Sequence, residues 1–429
     1  MNDRFDLVEG DVSIDDGRIL AIGSNLPGAH HKTIDARGGY ILPGFIQTHI
    51  HLCQTLFRGY ADDRPLMDWL RQRVWPMEAA HTPRTLRAAA RLATTELLSS
   101  GTTAVLTMET VHDTAAVFEA VAESGLRATI GKCMMDATQE APARLQEKTR
   151  AAIDESLALR RRWHGAANGR LRAAFAPRFA VSCSRELLEA VATLSADEQA
   201  LVHTHASESR EEIAIVRELS GGMNNLEYLA SLRLASPHLC VAHCVWADEQ
   251  EQALLATHDV KVMHCPGSNL KLGSGIAPVV DMRAKGITVS LGADGAACNN
   301  RLDMFEEMRL AAVLQALRHG PGALTARDAL WMATRAGART LGLEHEIGSL
   351  EVGKRADVIV VDRDQVHQTP GPDPYSTLVY AARGSDVTHT IVDGEVLFDD
   401  GRLVRVDRRE VIAEGRLAAH ELASRAGVL

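Results

Sequence analysis

Two histidines near residue 50 have the spacing of a metal-binding pair. Segment 44–52 reads as a short β-strand that opens after Pro43 and contains His49 and His51. Side chains two positions apart in a strand point to the same face, so the two imidazoles project side by side. Such a pair supplies half of a site for a first-row metal ion. Two ordinary surface or core histidines would have the same spacing, and the rest of the chain must decide between these interpretations.

The composition restricts the class of protein. The chain has 429 residues, of which 46% are hydrophobic and 24% charged, and its formal net charge is −10. That length accommodates an α/β barrel with an appended domain. Because no basic stripe, long apolar run or signal segment occurs, we expect no nucleic-acid polymer or membrane as a partner, and a cytoplasmic location. Seven scattered cysteines without a CxxC pair predict neither a disulfide framework nor a structural zinc knot.

Strand-like and helix-like segments alternate through the middle of the chain. Segments of helical length separate most of the strands, for example 84–99 and 303–318. This pattern predicts a (β/α)8 TIM-like barrel. A doubly wound open sheet is the alternative, but no GxGxxG or Walker loop supports it. The eight strand-like segments are 44–52, 101–108, 127–134, 171–177, 200–205, 239–243, 260–265 and 287–294.

Both ends of the chain are rich in β-structure instead. Residues 11–22 and 390–397 each read as a hairpin with an Asp-Gly turn, and 356–361 reads as a further strand. Together they predict a small β-sandwich domain built from both chain ends. We therefore expect a first sandwich part, then a metal-dependent barrel, then a second sandwich part with a C-terminal helix. The predicted boundaries are 1–43, 44–342 and 343–429.

Polar residues gather at the carboxyl ends of the predicted strands, which is where barrel enzymes carry their active sites. Scattered core histidines would not all lie at the same end of their strands, so the arrangement predicts a metal site. His203 also faces inward beside His205, and strand spacing alone does not choose between them. The residues at the strand ends are His49, His51, His205, Glu208, His243 and Asp294.

These motifs resemble the amidohydrolase superfamily, in the branch of mononuclear-metal aminohydrolases. The shared features are the HxH of the first strand, the HxxE that begins at His205, the histidine of the sixth strand and the aspartate in Gly-Ala-Asp-Gly-Ala of the eighth. Segments 264–271 and 348–357 also look like this branch, and the resemblance covers nearly the whole chain. The branch includes methylthioadenosine/S-adenosylhomocysteine deaminases, 5′-deoxyadenosine deaminases, guanine deaminases and triazine hydrolases.

The resemblance implies one divalent metal ion per chain, with zinc as the first choice and iron as the alternative. Three neutral imidazoles and one carboxylate suit either ion and leave a position open for water. The HxxE motif selects His205 over His203 as the ligand from the fifth strand. The fourth strand offers no lysine, which argues against a binuclear centre. The implied ligands are His49, His51, His205 and Asp294.

The same resemblance assigns the catalytic roles to three residues. Glu208 would donate a proton to a ring nitrogen, and Asp294 would accept a proton from the attacking water. His243 would hold the hydroxide or stabilise the tetrahedral carbon. The structural alternatives are a helix N-terminal acid for Glu208 and a buried, satisfied histidine for His243.

The substrate-binding residues carry a weaker signal. The order and spacing of Trp69 and Glu78 resemble the nucleoside deaminases, in which the tryptophan lines the pocket and the glutamate binds ribose hydroxyls. A core tryptophan and a surface charge are the plain alternatives. Arg178 departs from that pattern, because its Pro-Arg-Phe context looks more like guanine deaminases, where the arginine contacts an oxopurine. The N-terminus also begins one strand later than is usual among relatives, so that strand is either absent or encoded upstream.

From these features we expect a metal-dependent deaminase that hydrolyses the C–N bond of a cyclic amidine. The expected substrate is an adenosine-type nucleoside, namely 5′-deoxyadenosine, methylthioadenosine or S-adenosylhomocysteine, and the products are the inosine-type compound and ammonia. The alternative substrate is a bare heterocycle such as guanine, 8-oxoguanine, a pterin or a triazine. A catalytically dead barrel is a third possibility, which the intact set of polar residues disfavours. We expect a small-molecule substrate and a homo-oligomer.

Overall fold

The computed structural model describes residues 2, 4–26, 32–138 and 140–429. Parts of the predicted 1–43 segment, at residues 1, 3 and 27–31, lie outside the described residues. Each predicted strand corresponds to an observed one. The strands are β1 (Asp11–Asp15), β2 (Arg18–Gly23), β3 (Tyr40–Pro43), β4 (Phe45–His51), β5 (Thr102–Met108), β6 (Arg127–Met134), β7 (Leu171–Pro177), β8 (Val202–Ala206), β9 (Leu239–His243), β10 (Lys261–His264), β11 (Val289–Leu291), β12 (Asp294–Gly295), β13 (Val358–Val361), β14 (Val387–Val392), β15 (Glu395–Asp399) and β16 (Arg402–Leu403).

The helices lie mainly between the strands of the barrel. None of those in the described ranges combines the length and apolar character that a bilayer crossing requires. The helices are α1 (Leu66–Trp69), α2 (Trp75–Ala80), α3 (Pro83–Ser99), α4 (Ala115–Ser124), α5 (Thr149–Trp163), α6 (Arg185–Glu198), α7 (Arg210–Ser220), α8 (Asn225–Ser231), α9 (Glu249–Thr257), α10 (Pro266–Lys271), α11 (Val279–Ala284), α12 (Met304–His319), α13 (Ala326–Ala333), α14 (Arg335–Thr340), α15 (Pro374–Ser376) and α16 (Arg408–Ala426).

One parallel sheet forms the barrel, in the order β11-β10-β9-β8-β7-β6-β5-β4-β12. The eighth barrel strand is split into β11, which pairs with β10, and β12, which pairs with β4. Only Gly292 and Ala293 separate the two pieces, so the sheet closes on itself. A Cβ atom at Gly292 would lie 2.5 Å from the carbonyl oxygen of His49, and this seam therefore requires glycine. The predicted barrel is confirmed.

The barrel strands are buried along their length. Every residue of β4, β5 and β6 is buried, because helices cover the outer face and side chains fill the interior. Polar side chains inside the barrel form hydrogen bonds with neighbouring strands. For example, the Thr48 hydroxyl donates a hydrogen bond of 2.9 Å to the Leu291 carbonyl oxygen. The result is a rigid support for the side chains at the carboxyl ends of the strands.

The second layer of the molecule is a β-sandwich that uses both ends of the chain. Strands β1 and β2 form a hairpin, and a five-stranded antiparallel sheet has the order β16-β15-β14-β13-β3. Strand β3 precedes the barrel and pairs with β13, which follows it. An apolar cluster that includes Ile19, Val358 and Ile391 fills the space between the sheets. The predicted sandwich from both chain ends is confirmed.

The C-terminal helix α16 packs on the barrel. Its buried residues Ala418, Leu422 and Ala423 join an apolar cluster with residues of α2 and α3. An ion pair also joins the two helices: NH2 of Arg91 in α3 lies 3.2 Å from Oε1 of Glu410 in α16. We keep the boundaries 1–43, 44–342 and 343–429 as a proposal.

Candidate active site

Two histidines and an aspartate meet at the mouth of the barrel. His49 and His51 lie at the end of β4, and Asp294 opens the neighbouring β12. Nε2 of each imidazole lies 3.3 Å from Oδ1 of Asp294. His205 of β8 completes the group, with its Nε2 atom 3.4 Å from that of His51. Ligand atoms of His49, His51 and Asp294 all lie within 4.8 Å of one another, and so do those of His49, His205 and His243.

The outer nitrogens of two imidazoles are held by backbone carbonyls. Nδ1 of His51 lies 2.7 Å from the Met108 carbonyl oxygen, and Nδ1 of His205 lies 2.6 Å from that of Arg178. A carbonyl oxygen only accepts hydrogen bonds, so each Nδ1 carries the hydrogen and each neutral ring presents an Nε2 lone pair to the centre. Two such lone pairs 3.4 Å apart repel each other unless a cation lies close to both.

His49 presents a further buried nitrogen to the same centre. Its Nδ1 contacts Nε2 of His203 at 2.6 Å, which places His203 behind His49 and farther from the cluster. Nε2 of His49 is buried and makes no hydrogen bond within the described residues. A buried nitrogen that makes no hydrogen bond, two facing imidazole nitrogens and a carboxylate are together a donor set that could hold a divalent metal ion.

Burial controls the charges of this cluster. It lowers the pKa of His49 to about 4, and it lowers the pKa values of His203 and His205 well below the ordinary range. Neutral imidazole is the form that binds a metal ion. Burial raises the pKa of Asp294, but His49 and His51 outweigh this effect and hold its pKa well below the usual value. His49, His203 and His205 are therefore neutral near pH 7, and Asp294 is ionised.

Glu208, just after β8, and His243, at the end of β9, face the same centre. Oε2 of Glu208 lies 3.5 Å from Nε2 of His243, and that nitrogen lies 3.9 Å from Oδ2 of Asp294. Burial raises the pKa of Glu208, which favours the protonated acid that a proton donor requires. Burial lowers the pKa of His243, but the charges of Glu208 and Asp294 outweigh it and the pKa is raised.

Two of these residues have an unusual backbone conformation. His243 has φ +72° and Asp294 has φ +63°, in the left-handed region that side chains other than glycine rarely adopt. Such a conformation costs about 1–3 kcal/mol and persists only where surrounding packing imposes it. Both residues end or follow barrel strands, and the turn of the backbone directs their side chains into the cluster.

A cavity opens beside the cluster and combines polar and apolar surfaces. The polar part consists of His51, Gln54, Arg178, His205, Glu208, His243 and Asp294. The apolar part offers aromatic and aliphatic surfaces of the kind that pack against a flat ring. It is formed by Leu66, Trp69, Leu70, Phe179 and Leu272.

Glu78 and Arg178 form a buried ion pair at the wall of this cavity. NH1 of Arg178 lies 2.6 Å from Oε2 of Glu78, and NH2 lies 3.1 Å from Oε1. Gln54 donates a further hydrogen bond of 3.0 Å to Oε1. Burial lowers the pKa of Arg178, but the charge of Glu78 outweighs it and the pKa is raised, so the guanidinium stays charged. Of the three predicted substrate-binding residues, Trp69 and Arg178 line the cavity, and Glu78 contacts two lining residues.

The amidohydrolase family model matches residues 40–397 of this chain. The chain belongs to the amidohydrolase family. It is 42% identical over 425 residues to the 5′-deoxyadenosine deaminase of Methanosarcina acetivorans, covering 99% of this chain and 96% of that protein. It is 40% identical over 426 residues to the 5-methylthioadenosine/S-adenosylhomocysteine deaminase of Halobacterium salinarum, again covering 99% and 96%.

Solved structures give the same result. An adenosine deaminase from Xanthomonas campestris with bound zinc is 30% identical, with a TM-score of 0.88 over 97% of this chain and 94% of that one. The guanine deaminase of E. coli is 29% identical, with a TM-score of 0.83 over 90% and 92% of the two chains. The predicted family and the predicted enzyme class, an aminohydrolase, are confirmed. The individual residue roles stay predictions.

Sequence reasoning missed several residues of this amidohydrolase site. Glu109 directly follows β5, and its carboxylate accepts hydrogen bonds from the backbone nitrogens of Leu52 and Cys53, just beyond the HxH motif. The rule that polar residues at strand ends matter could have found it. Gln54 had no comparable signal. The resemblance of segment 264–271 to the branch did not indicate what the polar side chains of segment 266–274 contact, because these partners lie far away in the chain. These side chains are Ser268, Asn269 and Ser274.

Proposed function

We propose that the protein is a metal-dependent deaminase of an adenosine-type nucleoside, namely 5′-deoxyadenosine, methylthioadenosine or S-adenosylhomocysteine. The products would be the corresponding inosine-type compound and ammonia. The observation that carries the proposal is the convergence of imidazole nitrogens and carboxylates beside a cavity with apolar walls. The names of full-length relatives at about 40% identity support the choice of substrate.

We propose that His49, His51, His205 and Asp294 hold one divalent ion, zinc first and iron as the alternative. Nε2 of His49, which makes no hydrogen bond and lies 3.3 Å from Asp294, and the facing Nε2 atoms of His51 and His205 support this assignment. When bound, such an ion lowers the pKa of a water molecule so that hydroxide is available near neutral pH. His203 would act from behind, by fixing the ring of His49.

The protein's own side chains would then move the protons. Glu208 gives its proton to ring nitrogen N1 while the water oxygen adds to C6, and Asp294 takes a proton from that water. Asp294 next passes this proton to the amino group, the C6–N bond breaks, and ammonia leaves. The hydroxyl proton on C6 returns to Glu208, which leaves a carbonyl at C6 and a hydrogen on N1. His243, 3.5 Å from Glu208, would stabilise the tetrahedral carbon by hydrogen bonding to its oxygen.

Substrate binding would use the three predicted residues. Trp69 offers an aromatic face in the cavity wall, on which a purine ring can pack. Glu78 would accept hydrogen bonds from the ribose hydroxyls. A carboxylate oxygen has two lone pairs, and Oε2 of Glu78 accepts only the Arg178 hydrogen bond within the described residues, so it retains capacity for a hydroxyl.

A substrate panel read by ammonia release tests the proposal. We expect kcat/KM for 5′-deoxyadenosine, methylthioadenosine or S-adenosylhomocysteine to exceed the values for guanine, 8-oxoguanine and melamine. A site built around hydroxyl partners leaves a buried carboxylate unpaired when a free base binds. Glu78→Ala should remove the preference for nucleosides. Faster turnover of any free base than of all three nucleosides would overturn the substrate assignment, and no turnover of any compound would overturn the enzymatic function.

One observation favours a second candidate, a deaminase of a bare oxopurine. Arg178 lines the cavity, and its guanidinium could donate to a ring carbonyl. Its ion pair with Glu78 instead supports a role within the nucleoside site, because both terminal nitrogens already contact that carboxylate. The same panel separates the two candidates.

We also propose that the protein is a cytoplasmic homo-oligomer. Exposed apolar side chains such as Leu317 of α12, 77% exposed, and Leu417 of α16, 71% exposed, are available for subunit contacts. Light scattering on the purified protein measures its mass directly, and a monomer would overturn the oligomer.

A further inference from the structure

One loop of the barrel reaches all three proposed catalytic side chains. Segment 266–274 follows β10 and comprises α10 and the turn after it. Ser268 donates a hydrogen bond of 2.7 Å to Oδ2 of Asp294. Oδ1 of Asn269 lies 2.9 Å from Nδ1 of His243. The loop therefore supplies one polar side chain to each of two catalytic residues before it reaches the third.

The third contact is made by Ser274. Its hydroxyl donates a hydrogen bond of 3.2 Å to Oε1 of Glu208. Because Oε1 is occupied by this hydrogen bond, the two carboxyl oxygens are no longer equivalent. The acidic proton of Glu208 is left to Oε2, the oxygen that faces His243 at 3.5 Å.

The surroundings of Ser274 hold it in this position. It is 5% exposed, and its backbone nitrogen donates a hydrogen bond of 2.8 Å to the Asn269 carbonyl. Nε1 of Trp246 donates a hydrogen bond of 2.8 Å to its carbonyl oxygen. The guanidinium of Arg210 lies over the Trp246 ring at 3.9 Å and covers it from the solvent side. The serine is thus fixed by a contact within its own segment and by one from the loop after β9.

We propose that Ser274 is a positioning residue for the reaction, which orients the Glu208 carboxyl so that Oε2 carries the transferable proton. The proposal rests on the deaminase function given above. Segment 266–274 then acts as a clamp that aligns Asp294, His243 and Glu208 with one another. A merely structural serine would stabilise the loop without affecting the chemical step.

The test compares Ser274→Ala with a matched control, Ser195→Ala. Ser195 is also buried and donates a hydrogen bond of 2.7 Å to the Ala200 carbonyl, far from the cavity. We expect Ser274→Ala to lower kcat about tenfold to a hundredfold, with KM within about twofold, because a hydrogen bond to the reacting group is lost. Ser274→Thr keeps the hydroxyl and should restore most of kcat. Ser195→Ala should match the wild type.

A second background separates positioning from loop stability. In Glu208→Gln, the residue that Ser274 orients no longer transfers a proton, so adding Ser274→Ala should have no further effect on residual turnover. An equal loss in both backgrounds, or normal kcat in Ser274→Ala alone, would overturn the proposal. An inactive wild-type protein would instead overturn the proposed function.

Crystal structures give a readout that does not depend on turnover. In Ser274→Ala, the Glu208 carboxyl should rotate or occupy more than one conformer, and in Ser274→Thr it should keep a single position. An unchanged single conformer of Glu208 in Ser274→Ala would overturn the positioning role whatever the substrate is.

Discussion

The direction of each imidazole is determined by the atom behind it. His51 and His205 each hold Nδ1 against a backbone carbonyl, and His49 holds Nδ1 against His203. These contacts turn three Nε2 atoms toward one point and leave that of His49 without a hydrogen bond. In the proposed metal site, these contacts would hold the Nε2 atoms in place before an ion binds, so the cluster would be preorganised for the metal ion rather than assembled by it.

At the residue scale, Glu208→Gln should separate metal binding from proton transfer. We expect about one equivalent of metal per chain in both the wild type and Glu208→Gln, because the proposed ligand set does not include Glu208. Turnover should fall about 10²–10⁴-fold, since an amide cannot protonate a ring nitrogen. Elemental analysis and ammonia release measure the two effects. Near wild-type turnover would contradict the proton-transfer role, and loss of metal would make Glu208 a ligand.

At the scale of secondary-structure elements, a buried ion pair joins the barrel to the sandwich. Arg127, at the start of β6, contacts Asp357, just before β13, at 2.7 Å through Nε and at 2.9 Å through NH2. Burial lowers the pKa of Arg127, but the charge of Asp357 outweighs it and the pKa is raised. Oδ1 of Asp357 also accepts a hydrogen bond of 2.9 Å from the backbone nitrogen of Asp393. The pair therefore joins the end of the barrel at which its strands begin to the ends of two strands of the sandwich.

Breaking this pair should destabilise the whole protein. Asp357→Asn removes the nearer counter-charge of a buried guanidinium and leaves Asp393, whose Oδ1 lies 3.6 Å from NH2 of Arg127. Loss of one partner of a buried ion pair typically costs about 3–5 kcal/mol. The matched control is Glu123→Gln, which breaks the exposed two-bond pair with Arg87 and should cost less than about 1 kcal/mol. Urea unfolding measures both free energies. Equal effects of the two substitutions would show that the buried pair does not join the domains energetically.

For the molecule as a whole, charge should influence which nucleosides are accepted. The net charge is −10, and three cations near the cavity are already paired with carboxylates. Arg178 contacts Glu78, Lys271 beside the cavity residue Leu272 contacts Asp62, and Arg71 beside the cavity residue Leu70 contacts Glu140. A substrate carboxylate that approached any of these three cations would have to displace its partner.

We therefore expect nucleosides with an uncharged 5′ substituent to be preferred over S-adenosylhomocysteine. The kcat/KM for methylthioadenosine should exceed that for S-adenosylhomocysteine about tenfold or more, because desolvating an unpaired carboxylate is costly. 5′-Butylthio-5′-deoxyadenosine, which has a neutral tail of similar length, is the control and should behave like methylthioadenosine. If it is rejected as strongly as S-adenosylhomocysteine, length rather than charge excludes the tail.

The sequence alone determined the architecture and the main chemistry. The period-two spacing of His49 and His51 places both on one face of a strand, and parallel strands bring their carboxyl ends to one mouth. These are local rules, and they depend only on residues that are close in the chain. The hairpins at both chain ends have equally local Asp-Gly signals, and so the sandwich was also predictable.

Only the tertiary structure decided how the side chains pair. Alternation places His203 and His205 on the same face but does not give their depth along the barrel, which sets one behind His49 and the other beside His51. The pairing of Glu78 with Arg178 and of Ser274 with Glu208 joins residues 100 and 66 positions apart. Such contacts depend on how loops from different strands converge, and no periodicity in a single segment encodes that convergence.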